Sequence, residues 1–300
     1  MLDKPLDLAH PMGVRTTRRN PATAGLRFML HKPLGGAGAV IVIVLVLMAL
    51  LAPLIAPFPY AENHISDRLQ GPSREYFFGT DASGRDIFSR IVYGARISVT
   101  VGFGAVFISA FVATTLGIVS AYYGGAVDSI LQRFVDIWLS FPSLVILISI
   151  MAVIGMGVPN LTFAISLLLA AGFSRVVRAS ALTVKGSLFI EAATTVGAND
   201  ARIMFRHILP NVMPTIIVIS TVQLGGAILI ESSLSFLGYG VPPPAPSWGG
   251  MLSGTGLVYF TKAPWMAVFP GLFITLAVFG FNMLGDALRD VLDPRLRGSR

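Results

Sequence analysis

The residues of this chain that could do chemistry are few, and the types that would announce an active site are missing. With no cysteine among 300 residues, the sequence offers no disulfide, thiolate nucleophile, iron–sulfur ligand or cysteine-bound zinc. Its four histidines, His10, His31, His64 and His207, stand far apart, and a histidine metal site needs a pair at ligand spacing. None of the lysines, Lys4, Lys32, Lys185 and Lys262, follows a glycine as a phosphate-cradling Walker A loop requires. If ATP drives this protein, another subunit binds it. Ser253, in GGMLSGTG, is a candidate nucleophile only if a base reaches it. The one histidine to consider is His64, and no neighbouring residue orients it.

What the sequence does offer is a polar island between two uncharged apolar stretches, residues 179–211, ALTVKGSLFIEAATTVGANDARIMFRHILPNVM through its closing Pro210. It begins just after Arg175 and Arg178 and carries Lys185, Glu191, Asp200, Arg202 and Arg206. Ala192, Ala193, Ala198 and Ala201 favour helix and let another backbone come close, while Gly197 divides the run into two short helices. Asn199 or Asp200 is placed to cap the second. Phe205, an aromatic among charges, completes a surface built to be touched. The bland alternative is an ordinary interhelical loop.

The elements that must hold this island are membrane spans. Hydrophobic residues make up 54% of the chain and charged residues 12%, against about 25% in soluble domains, and the mean hydropathy is +0.75. Segments 34–56, 97–127, 137–174, 208–230 and 263–285 contain no Asp, Glu, Lys or Arg, and each exceeds the roughly 20 residues that cross a bilayer. The third would reach about 57 Å as a single helix. Gly155, Gly157 and Pro159-Asn160 at its middle divide it into two helices, giving an all-α polytopic protein of six transmembrane helices. Arg133 and Asp136 mark a membrane border before the third span, and Phe141-Pro142 a local bend.

Orientation follows from the basic residues. Sixteen of the 22 Lys and Arg fall in 1–36, 122–136, 175–211 and 286–300, and the other six in 58–96 and at Lys262. The positive-inside rule places both termini and the island in the cytoplasm. Basic residues spread over several short loops form no nucleic-acid patch. Residues 1–33 are expected to be a cytoplasmic tail, 34–57 the first span, 58–96 an external segment, 97–288 a five-helix core and 289–300 a second tail.

Three further features are legible. In the external segment, turn residues from Phe78 to Gly84 precede an amphipathic helix begun by Asp81 or Ser83, with Ile87, Phe88, Ile91 and Val92 as its apolar face. Such a helix is expected to lie along the outer membrane surface before the chain turns into the second span. Ala105, Ser109, Ala113, Gly117 and Ala121 recur every four residues, a stripe along which backbones approach closely, within one subunit or between two. Glu231 ends a long neutral run and either lines the exit of a path, pairs across an interface, or sits at headgroup level. Beyond it Tyr239, Pro242, Pro243, Pro244, Pro246 and Trp248 form either a stiff external cap or a passive connector.

The string Glu191-Ala192-Ala193, Gly197 and Ile208-Leu209-Pro210 resembles the loop by which permease subunits of ABC importers dock onto their ATPase subunits. Phe78-Gly79-Thr80-Asp81 through Arg85-Asp86 and Ser89-Arg90, Glu231 through Gly240 with Pro242 through Gly249, and Leu284-Gly285-Asp286 through Asp293-Pro294-Arg295 resemble the narrower dipeptide, oligopeptide and nickel class, so that the resemblance covers roughly 34–297. His207 stands where the general permease pattern has an aliphatic residue.

The resemblance implies a type I ABC importer permease fold in a bacterial inner membrane, a non-catalytic subunit for di- or oligopeptides that itself binds no cofactor. It implies a second homologous permease, two ATP-binding cassette subunits holding ATP and Mg, an external substrate-binding protein, surrounding membrane lipid, and no nucleic acid. Glu191, Ala192, Ala193, Gly197, Asp200, Arg202, Phe205, Arg206 and Pro210 would then couple to the ATPase, and Glu231, Tyr239 and Trp248 would serve the path or outer gate. A secondary transporter or channel is the alternative, but inverted repeats and midplane charges of that class are not seen. The topology is checked by cysteines introduced singly into this cysteine-free chain. An impermeant thiol reagent is expected to label residue 63 and to spare residue 199 in intact cells, and labelling at 199 contradicts it.

Overall fold

A computed structural model describes residues 33–292 of the chain, so the expected tails, through residue 32 and from 293, lie outside the described residues. The described chain is helical. Helix α1, Pro33–Leu50, is followed by one further turn, Ala52–Ile55. The others are α2 Ile87–Tyr123, α3 Gly125–Ser140, α4 Ser143–Ile154, α5 Val158–Lys185, α6 Leu188–Thr195, α7 Asp200–Phe236, α8 Trp248–Leu252 and α9 Trp265–Leu292. Five of these are long and apolar enough to cross a membrane, and counting the bent pair α3 and α4 as one span brings the number to six.

Helix α2 is the mast. Its 37 residues reach about 55 Å, with α5 along one flank, α7 along another and α1 behind; α9 closes the bundle between α1 and α7. The small-residue stripe is the seam with α5, so it packs within the subunit. Ala105, Ser109, Ala113, Gly117 and Ala121 are all buried. A Cβ on Gly117 would lie 2.8 Å from both the Ser174 carbonyl oxygen and the Val177 Cβ, so only glycine fits there.

Two expectations of the sequence are corrected. The surface helix before the second span does not exist as a separate element, because nothing between Ile87 and Tyr123 breaks the ladder and the helix runs straight into the bundle. Its apolar residues Ile87, Ile91 and Val92 are buried in the core, and its cap is Asp86, whose Oδ2 accepts from the Ser89 N–H at 2.8 Å. Asp81 shapes the preceding turn instead, accepting from the N–H groups of Ser83 and Arg85 at 2.7 and 3.0 Å. The second correction concerns the island, whose second short helix is the start of α7. One turn of i→i+5 bonding over Ile203–Ile208 shifts the hydrogen-bond ladder just where Pro210 has no N–H to give, and the helix passes through it.

The 122–136 loop is likewise mostly helix, α3, and Phe141-Pro142 turns the chain by 92° into α4. At about 18 Å the 12 residues of α4 do not span a bilayer alone. The turn expected at Gly155–Asn160 is present. Gly155 and Gly157 have φ of +85° and +134°, and the Asn160 amide donates to the Ile154 carbonyl at 2.8 Å.

The segment 58–86 docks across the end of the bundle opposite the island. The Trp265 indole donates to the Thr80 carbonyl at 3.1 Å, and Phe78 stacks on Phe269 with ring centroids 4.0 Å apart. The buried Tyr76 hydroxyl donates to Asp67 Oδ2 at 2.9 Å, and burial, then that carboxylate, push it up to about 12. A raised tyrosine favours the neutral donor, so this tie is complete below about pH 10 and lost only as pH rises through about 12.

The seam yields a test. Gly117→Val must push α2 from α5 and is expected to cost about 1–3 kcal/mol, read as a lower unfolding temperature in detergent. Gly172→Val, where a Cβ meets nothing within 4 Å, is expected to be neutral by the same measurement.

Candidate functional site

At the island end, a second apolar cluster fixes the polar loop to the bundle. Ile190 of α6 and Ile203 and Ile208 of α7 are buried with Ala113, Ile118 and Ala121 of α2 and Phe173, Val177 and Ala181 of α5. The small stripe therefore continues into the island. Polar ties reinforce it: the Tyr122 hydroxyl donates to Asp200 Oδ1 at 2.8 Å, and Lys185 Nζ donates to the carbonyls of Tyr122 and Ala121 at 2.7 and 3.3 Å. Those carbonyls close the last turn of α2, where a cation is favoured by the helix dipole. Gly197 has φ +83° and open space around it, a left-handed turn that links α6 to Asn199, whose side chain accepts from the Arg202 N–H at 2.9 Å.

What this scaffold presents is an exposed, mixed surface. Glu191, Ala192, Gly197, Asp200, Arg202, Arg206 and Pro210 are exposed, Ala193 is half-buried, and Phe205 is 70% exposed. Leu188 and Val196, which the sequence reading did not single out, are 82% and 88% exposed. They flank Glu191 at either end of α6, and large apolar residues left open in a polar loop signal a contact surface. Beside them a cleft of about 550 Å³ runs between Tyr122, Tyr123 and Lys185 on one side and Glu191, Thr194 and Thr195 on the other. Tyr122 and Lys185 were missed as positioning groups because their partners, 78 and 63 residues away, are set by the packing.

Helix α3 is clipped to the same end by charge. Arg178 Nε donates to Asp128 Oδ1 at 2.6 Å, and Arg175 pairs with Asp136. Arg175 and Arg178, read from sequence as the border of the island, are therefore inside α5, which runs on to Lys185.

At the opposite end, two of the three expected gate residues, Glu231 and Trp248, are buried and the third, Tyr239, is half-buried. Glu231 is fully buried, accepting hydrogen bonds from the hydroxyls of Ser98, Ser235 and Ser232 at 3.1, 2.7 and 3.4 Å, so it neither lines an exit nor sits among headgroups. Trp248 is 1% exposed; its Nε1 donates to the Ile91 carbonyl at 3.0 Å, and its indole fills the space that a side chain on Gly94 would take. Trp248 thus pins the 238–249 loop to α2. Tyr239 is half-buried against the core, and Pro242, Pro243 and Pro244 carry the exposed part of the loop. Below them Arg90 donates to the Tyr60 and Pro244 carbonyls at 2.9 and 3.5 Å, tying loop, external segment and α2 together.

Residues 113–298 match the family described as binding-protein-dependent transport system inner membrane component, and residues 24–72 the N-terminal TM domain of oligopeptide transport permease C. The chain belongs to this family of ABC importer permeases, multi-pass membrane proteins of binding-protein-dependent inner-membrane transport systems. It is 44% identical over 281 residues to the dipeptide transport system permease protein DppC of Alkalihalophilus pseudofirmus, covering 94% of this chain and 92% of that one. It is also 44% identical over 262 residues to the glutathione transport system permease protein GsiD of Escherichia coli O157:H7 and of Shigella sonnei, covering 87% of this chain and 86% of each relative.

The ties of the island lead to an expected outcome for Tyr122→Phe. Losing the hydrogen bond to Asp200 removes about 1 kcal/mol of local support, so amide exchange across α6 and the first turns of α7 is expected to speed up about fivefold. Tyr123→Phe is the matched control and should leave that exchange unchanged.

Proposed function

We propose that this chain is the permease half of an ATP-driven importer of di- or oligopeptides, and that the island around α6 is where ATP hydrolysis in partner subunits is converted into movement of the spans. The chain itself is non-catalytic and binds no cofactor; ATP and Mg belong to two ATP-binding cassette subunits docked on the island. A second homologous permease completes the path, and an external binding protein delivers substrate at the opposite end. Both termini and the island face the cytoplasm of a bacterial cell. The observation that carries this reading is the pairing of an exposed apolar and charged surface, Leu188, Glu191, Val196 and Phe205, with buried anchors Ile190, Ile203 and Ile208 on the same short segment. A surface meant only for water needs no such anchors.

The mechanism that follows is two-state. Closure of the ATPase pair displaces α6, and because α6 is seated on α2, α5 and α7, the displacement is borne by the long helices and moves the opening from one side of the membrane to the other. A loaded binding protein shifts this balance only by binding one of the two states more tightly. Peptide is the substrate class favoured by the names of the relatives, which transport dipeptides or glutathione. The ion-gradient alternative has no such support.

Gly197→Trp is the discriminating variant. Its backbone turn is strained for any side-chain-bearing residue, and its side chain projects into the surface assigned to the ATPase. In the assembled importer, peptide uptake is expected to fall at least about tenfold while the chain remains at normal level in the membrane. Unchanged uptake at normal membrane level overturns the coupling role.

A further inference from the structure

An open cleft of about 550 Å³ lies between α5, α7 and α9 toward the island end. Its floor exists because α7 and α9 come unusually close. A Cβ on Gly285 would lie 2.7 Å from Val222 Cγ2, and one on Gly225 would lie 3.2 Å from the Val278 carbonyl oxygen. The walls are apolar, from Val176 on α5 and Val218, Ile219 and Val222 on α7. Polar groups interrupt them: Thr215, whose hydroxyl is hydrogen-bonded with that of Ser180, an amide and two charges. Gln223 lies in the wall with its Oε1 buried and without a hydrogen-bond donor. Asp286 and Arg289, nearly one turn apart on α9, put one charge of each sign on the lining.

A buried side-chain amide oxygen in a membrane span with no donor calls for an explanation, since lipid has no donor to offer it. We propose that this cleft is the peptide-contacting wall of the translocation path, where the Gln223 side chain turns its otherwise buried Oε1 to accept the internal N–H of a passing short peptide and Asp286 and Arg289 hold its ammonium and carboxylate ends. The proposal rests on the peptide reading above and adds the site. The chemistry suits a permease that does not choose among side chains. An internal N–H and two charged termini are common to every free dipeptide, and plain apolar walls of this size accept varied side chains without a specific contact.

The test uses the assembled importer with the full chain, and Ala-Ala and alanyl-sarcosine as probes, isomers in which the second carries its methyl on the internal nitrogen, in place of the hydrogen, instead of on the second Cα. In the unaltered importer Ala-Ala uptake is expected to exceed alanyl-sarcosine uptake. Gln223→Leu is expected to lower Ala-Ala uptake about tenfold, to the level of alanyl-sarcosine, and to leave alanyl-sarcosine uptake unchanged. Val222→Cys, in a chain without other cysteines, is expected to react with a water-soluble methanethiosulfonate and to be protected by Ala-Ala, whereas Phe107→Cys, on the 77% exposed flank of α2, stays unreactive. Undiminished Ala-Ala uptake in Gln223→Leu, equal loss for both probes, or an unreactive Val222→Cys overturns the site while normal uptake by the unaltered importer keeps the peptide reading. An unaltered importer that moves neither probe removes the peptide reading, and the proposed ligand with it.

Discussion

In lipid, apolar surface gives two helices no reason to prefer each other over acyl chains, so a bundle must be held by close backbone contact and by polar ties. The seam between α2 and α5 is that contact here. Small residues every fourth position on α2 bring Gly117 against the backbone of Ser174, and the rest of the subunit is hung from these two helices. The seam's island end widens into the cluster of Ile190, Ile203 and Ile208, and α2's other end receives Trp248 and the Ser98–Glu231 hydrogen bond. The island and the 238–249 loop at the opposite end are therefore mounted on one continuous helix.

The polar groups show why this arrangement is specific as well as stable. A buried ion pair or carboxylate contributes little net stability once desolvation is counted, but it strongly disfavours arrangements that leave it unpaired. Arg178 with Asp128 fixes α3 at the island end, and Arg90, near Asp81 and bonded to the Tyr60 carbonyl, fixes the external segment at the other. Glu231, enclosed by three serine hydroxyls, fixes the register of α7 against α2. Glu231 reads in sequence as a candidate for the transport path, and in the structure it is hydrogen-bonded between helices as a fastener.

Helix α7 joins the two ends by a different device. Its π-turn over Ile203–Ile208 and Pro214 interrupt the regular ladder close to the island, so the first part of the helix can be seated with the island cluster while the remainder follows the bundle. The same helix supplies the wall of the cleft that contains Gln223.

Much was determined by the sequence alone. Charge-free lengths specified the long helices because a bilayer of fixed thickness demands them, and the string from Glu191 to Pro210 marked a polar, largely exposed segment between spans. Gly155 and Gly157 marked a turn by the backbone conformations only glycine adopts freely. Tertiary structure alone decided which apolar residues were surface and which were core. Ile87 and Ile91 alternate with polar neighbours as a surface helix would, yet Trp248, 157 residues beyond Ile91, covers that face. The stripe's partner, the burial of Glu231 and the roles of Tyr122 and Lys185 likewise depend on residues remote in sequence. Periodicity reports that a residue has an apolar or polar side, and only packing decides what that side meets.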